Sequence, residues 1–108
     1  MKLANKITRV RTLVDNDPQA TDELITVYLE SAEMEILIRM YPFGIPEDAE
    51  LPMRYDLKQC DLAARYFLRR GAEGEIEHNE NGVNRRYYSV NDEDILREII
   101  QIAKVVVG

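Results

Sequence analysis

Two arginine pairs, Arg69-Arg70 and Arg85-Arg86, and the aromatic pair Tyr87-Tyr88 that follows the second are the residues of this sequence best equipped to hold a partner. A guanidinium fork takes carboxylates or phosphates two oxygens at a time, and tyrosine rings stack on bases or fill protein pockets. Their surroundings choose between these uses. Glu73, Glu75, Glu77 and Glu80 lie among the four arginines, so the segment has no net positive field to draw phosphate, and salt-bridged protein contact is the expected role. Candidate contact residues are therefore Arg69, Arg70, Glu73, Glu75, Glu77, Arg85, Arg86, Tyr87 and Tyr88.

Catalytic chemistry needs a nucleophile with a base, paired carboxylates in a cleft, or metal ligands at suitable spacing, and the sequence offers none of these. His78, the sole histidine, stands among Glu77, Asn79 and Glu80 and reads as solvated. Glu33 and Glu35 do not share a helical face. Gly71 and Gly74 follow no strand and precede no Gly-Lys-Ser/Thr, so they make no phosphate loop. Cys60 is the single cysteine, which rules out an intramolecular disulfide and a cysteine-rich metal site; beside Leu57 and Ala64 it is expected to be a small core residue. No enzyme activity, metal or cofactor is expected.

The elements that must position the arginines are helical. Leu3, Ile7, Val10 and Val14 recur at helical spacing and predict a first helix over about 4–14. Asp15-Asn16-Asp17-Pro18 ends it and is expected to open the next, with Asp17 as N-cap and Pro18 at the first helical position. Ile25, Tyr28, Leu29, Ala32, Ile36 and Met40 predict an apolar stripe on a helix over 18–40, with Glu23, Glu30, Glu33 and Glu35 largely off it. Pro42, Gly44 and Pro46 break that helix, and an acidic loop follows. After Leu51-Pro52 a third helix is predicted from Tyr55 to Leu68, with Leu57, Cys60, Ala64, Phe67 and Leu68 on one face, and Leu62, Ala63 and Tyr66 making it apolar nearly all round. Arg69 and Arg70 suit its last turn, and Gly71 is expected to be its left-handed C-terminal cap. Glycines 71, 74 and 82, with the Asn81-Gly82 turn signal, predict an extended hairpin or loop over about 71–89, reaching ~20 Å if each side is a six-residue strand. Glu75 and Glu77 can face Arg85 and Arg86 across it or pair with neighbouring subunits. Asp92, Glu93 and Asp94 then place acids at the positive end of a last apolar helix running to Val106.

The fold expected is thus mainly α, a single domain over 1–108: a small bundle of about four helices with one protruding hairpin or extended loop. Hydrophobic residues at 45% and charged ones at 31% are the balance of a soluble globular protein. No stretch approaches the ~20 apolar residues of a membrane span, and the start lacks the apolar run of a signal peptide, so a cytosolic protein with no membrane partner is expected. The net charge is -6; residues 1–53 carry five basic and ten acidic side chains, and 54–108 carry nine and ten. Tight nonspecific nucleic-acid binding, which needs a basic surface, is disfavoured.

Asp15-Asn16-Asp17, Tyr41-Pro42, Leu51-Pro52, the helix Leu62-Ala63-Ala64-Arg65-Tyr66 running into Arg69-Arg70-Gly71-Ala72-Glu73-Gly74, and Gly82-Val83-Asn84 with Tyr88-Ser89 together resemble the small head-tail connector (adaptor) proteins of long-tailed bacteriophages, the gene-product-six-like connector family. His78-Asn79-Glu80 and Arg85-Arg86 depart from the smaller, Ser-rich residues of that pattern. The resemblance implies a helical protomer that forms a ring, usually dodecameric, beneath the portal protein. DNA passes through such a ring without sequence-specific binding, and tail-completion proteins attach to it. It implies a place at the head-tail junction of the virion, with the host cytoplasm before assembly. The alternative from the residues is a small helix-turn-helix DNA-binding regulator. Arg54, Lys58 and Arg65 on the third helix favour it, whereas Asp56, Asp61 and the long preceding loop do not.

Overall fold

The computed structural model describes residues 1–73 and 92–102. The chain is mainly helical over them: α1 (Leu3–Leu13), α2 (Asp22–Met40), a 3-10 turn (Met53–Tyr55), α3 (Asp56–Glu73) and the four-residue α4 (Glu93–Leu96), with no strand among the described residues. α2 and α3 share the most extensive contact, and α1 lies against both. Val10, Ile25, Leu29, Ile36, Met40, Cys60 and Leu62 are fully buried where the three helices meet. Each large side chain so buried contributes about 1.5–3 kcal/mol.

α2 begins at Asp22, four residues later than the sequence predicts. Asp15 and Asn16 hold left-handed backbone at φ 58° and 56°, a conformation that Asp and Asn tolerate better than most residues. The Asp17 carboxylate then accepts from the Gln19 amide at 2.8 Å and closes a local turn, so it is not a helix cap. Thr21 takes that role, its hydroxyl accepting from the Leu24 amide at 3.2 Å, and Asp22 and Glu23 complement the dipole in the first turn.

α3 runs through Gly71 to Glu73, so Gly71 is not the cap predicted for it. A helical glycine costs only about 1 kcal/mol against alanine, and Ala72 and Glu73 continue the helix readily. The start of the predicted arm, 71–73, is thus helical; the remainder, to 89, lies outside the described residues. The buried arc of α3 also turns away from the predicted one. Asp56, Gln59, Cys60, Ala63, Ala64 and Phe67 are covered, while Leu57 and Leu68 are 47% and 39% exposed. Gln59 is the reason: its amide donates to the Leu29 carbonyl of α2 at 2.8 Å and accepts from Lys6 of α1 at 2.6 Å. A polar side chain satisfied in this way sits in the core at little cost.

The last helix is the largest correction. α4 spans Glu93–Leu96 alone and unwinds through shorter bonds, Glu98 N–H to Ile95 and Ile99 N–H to Leu96; the predicted stretch beyond 102 lies outside the described residues. The Ile100 amide donates to the Tyr55 hydroxyl at 2.9 Å, and the Ile102 amide donates at 2.8 Å to the Met40 carbonyl, an orphan acceptor at the end of α2. These tertiary acceptors outcompete the helix in a β-branched run. Tyr55→Phe removes one of them and is expected to lower stability by about 1 kcal/mol, a fall of roughly 4–8 °C in Tm. An unchanged melting curve would show that the final segment is not held there.

Candidate interaction surface

α2 is apolar on two opposite sides. Its inner side carries Ile25, Leu29, Ala32, Ile36 and Met40 into the core. On the outer side Val27, Ser31, Met34 and Ile38 follow one another at spacings of four, three and four, and Val27, Met34 and Ile38 are each about half exposed (52%, 51% and 53%). That spacing is a continuous helical stripe. Glu23 and Glu30 flank it, both exposed and without an ion-pair partner among the described residues. Ser31, Met34 and Ile38, with Tyr28, Glu35 and Tyr66, line an open groove of about 490 Å³ between α2 and α3.

Tyr28 and Tyr66 form the groove's floor. The rings of Tyr28 and Tyr66 meet at 6.2 Å with a 58° tilt, and the Tyr66 hydroxyl donates to Glu35 at 3.4 Å. Burial, reinforced by the Glu35 and Asp92 carboxylates, pushes the Tyr66 phenol well above its ordinary range, so it stays a neutral donor. Arg69 and Arg70, two of the predicted contact residues, line a second depression with Tyr28 and Tyr66. The Arg69 guanidinium lies 5.8 Å from the Tyr66 ring and that of Arg70 5.1 Å from the Phe67 ring. Glu73 is the last residue of α3. Glu75, Glu77, Arg85, Arg86, Tyr87 and Tyr88, and with them His78, lie outside the described residues. Cys60 is buried, its thiol raised by burial and directed at the Lys6 carbonyl 3.9 Å away, as expected of a core residue.

Most cations near this surface are already engaged. Arg65 holds Asp94 through two bonds of 2.8 and 2.7 Å and reaches Asp92 at 3.3 Å; Arg69 also pairs with Asp92; Arg39 pairs with Glu93, and Lys58 with Glu98 at 2.5 Å. The acids after residue 91, read from sequence as dipole partners of a helix, do stand at the start of α4, with Glu93 and Asp94 in its first turn, and they also clamp the final segment onto α2 and α3. Asp92 makes no side-chain cap. The two hydrogen bonds from Arg65 hold the Asp94 carboxyl at about 2, and Arg39 and Lys58 likewise hold Glu93 and Glu98 below the usual carboxylate range. These folded values are depressed, so the unfolded chain binds more protons in acid. The stabilisation is complete only above about pH 5, past the ordinary carboxylate range, and is lost as pH falls toward about 2. Denaturant midpoints measured from pH 7 to 2 are expected to stay level and then drop over that window, with a smaller drop in Arg65→Met; identical profiles would remove the clamp from the explanation.

Val27, Met34 and Ile38 were not among the predicted contact residues. Their signal in the sequence is the second apolar stripe itself, half a turn away from the first. The described residues hold no cluster of metal ligands and no helix long and apolar enough to cross a membrane. The family model for the phage gp6-like head-tail connector protein matches residues 4–104. No curated protein and no solved structure matches the chain.

Proposed function

Because the chain belongs to the phage gp6-like head-tail connector family, a family of structural assembly proteins and not of enzymes, we propose that it forms a ring on the portal protein and links the DNA-filled head to the tail. The proposed ring is dodecameric on the portal, sits at the head-tail junction of the virion after passage through the host cytoplasm, presents a docking face to tail-completion proteins, and lets DNA pass without sequence-specific contact. The observation that carries this reading is the two-sided α2: one face builds the core, and the opposite face leaves Val27, Met34 and Ile38 in solvent. An exposed apolar stripe of this kind, continuous along a helix, is the sort of surface that a partner protein covers. The segment over 71–89, with Glu73, Glu75, Glu77, Arg85, Arg86, Tyr87 and Tyr88, is proposed as a further contact with the neighbouring subunit or the portal, and Arg69 and Arg70 as its base.

The helix-turn-helix regulator has less support. Such a motif joins its helices by a turn of 3–4 residues, whereas α2 and α3 are separated by residues 41–55 and α1 and α2 by residues 14–21. Lys58 and Arg65 of the would-be recognition helix are spent on Glu98, Asp92 and Asp94. Duplex DNA binding at low salt separates the two readings. No retention of DNA is expected; a salt-dependent affinity that disappears in Lys58→Ala/Arg65→Ala would favour the regulator.

A further inference from the structure

The exposed faces of α1 and α2 carry opposite charge. Residues 1–14 contain Lys2, Lys6, Arg9 and Arg11 and no acid, whereas α2 contains Asp22, Glu23, Glu30, Glu33 and Glu35 against Arg39 alone. Part of each set is used internally: Lys6 pairs with Asp56, Arg11 with Asp22, and Arg39 with Glu93. Left over are Lys2 and Arg9 on α1's side, and Glu23 and Glu30 beside the α2 stripe, all exposed and none in an ion pair among the described residues. Lys2 precedes the first turn of α1 and Arg9 stands seven residues further along, on the helix itself. Arg9 there lines an open groove with Met1, Asn5, Thr8, Thr12 and Leu13, and Met1 and Leu13 are exposed apolar side chains at 45% and 39%.

We infer that the outer face of α2 docks against the outer face of α1 on a second copy of this chain, with Val27, Met34 and Ile38 covered by Met1 and Leu13 and with Glu23 and Glu30 facing Lys2 and Arg9. This rests on the ring reading and assigns its body-to-body contact. Two α2 faces bring Glu23 and Glu30 to a shared contact with no uncommitted cation to answer them, because Arg39 is paired with Glu93, so an isologous dimer through this stripe is disfavoured. The contact between unlike faces is heterologous, the kind that propagates from subunit to subunit and closes into a ring. α1 is ~16 Å long and a helix is ~10 Å across, which is only part of the ~800 Å² per partner of a typical stable interface. The contact therefore acts together with the one proposed for 71–89.

Charge exchange tests it. One variant carries Glu23→Lys and Glu30→Lys, a second carries Lys2→Glu and Arg9→Glu, and a third carries all four changes; assembly of each, alone and with the cognate portal, is read by sedimentation velocity. All four positions are exposed, so circular dichroism is expected to stay at wild-type values, with Tm lowered by only a few degrees where Glu23→Lys removes an acid that complements the α2 dipole. Each two-site variant alone is expected to weaken assembly by roughly tenfold or more, since like charges then meet at every contact. An equimolar mixture of the two variants restores it, because every contact in an alternating ring is again between opposite charges, and the four-site variant restores it for the same reason. Wild-type assembly with undiminished assembly of both two-site variants overturns this interface and leaves the ring reading standing. Loss in both with no recovery in the mixture also overturns it. A wild-type chain that stays monomeric with and without portal removes the ring reading, and this contact falls with it.

Discussion

Changing both Arg85 and Arg86 to glutamate is expected to abolish assembly while leaving the protomer's unfolding transition within about 2 °C of wild type. The reasoning starts from local charge. Four acids, Glu73, Glu75, Glu77 and Glu80, stand near Arg69, Arg70, Arg85 and Arg86, and Arg69 is already committed to Asp92 within the protomer. The balance available to a partner is therefore acidic, which suits carboxylate pairing at a protein interface and opposes phosphate binding. Exposed arginine pairs contribute only about 0–1 kcal/mol, so removing them barely moves monomer stability. Once desolvated on assembly, truncating one partner of such a pair costs about 2–5 kcal/mol, ~30-fold or more in affinity, and charge reversal adds repulsion. Normal assembly of the double variant, combined with loss of a salt-sensitive DNA affinity shown by the parent, would move these arginines from protein contact to phosphate contact.

Asp92→Ala carries the largest expected cost to the fold itself, about 2 kcal/mol or roughly 10 °C in Tm. Its carboxylate is 9% exposed and takes both Arg65 and Arg69, which are themselves about three-quarters covered. Removing it leaves the partly buried Arg69 guanidinium without its carboxylate and Arg65 with Asp94 alone. The segment that Asp92 opens also supplies Ile95, Leu96 and Ile99 to the core and caps α2 through the Ile102 amide. Its release exposes apolar surface on α2 and α3 as well. Asp92→Asn keeps an oxygen acceptor but not the charge, so an intermediate loss is expected. Equal stability of wild type and Asp92→Ala would show that the apolar side chains hold the segment without the ion pairs.

The helical frame was legible because its signals are local and periodic. Val10, Ile25, Leu29, Ile36 and Met40 lie in the core where helical spacing puts them, and the breaks at Asp15-Asn16 and Pro42–Pro46 fall where turn residues cluster. What sequence reading missed depends on partners far along the chain. Gln59 has no part in the apolar pattern, and its place in the core depends on the Leu29 carbonyl and the Lys6 ammonium being brought to it. The acids at 92–94 read as helix dipole partners, which Glu93 and Asp94 are, but the pairing of Asp92 and Asp94 with Arg65 and Arg69 appears only once α3 presents those arginines. The run from Ile95 onward has helical spacing, yet its amides at 100 and 102 find stronger use on Tyr55 and Met40. For the contact surface, composition drew attention to the charged segment after Arg69, while the α2 stripe was hidden because its inner face already explained why the helix is apolar. Only burial separates the two faces, and burial is a tertiary property.

The most direct measurement is the mass of the wild-type protein in solution over a wide concentration range, alone and with the cognate portal, combined with negative-stain imaging of the largest species. Closed rings, present at high concentration or on the portal and matching it in subunit number, are the expected result. A strictly monomeric mass at the highest concentration, together with no binding to the portal, would contradict the proposed role.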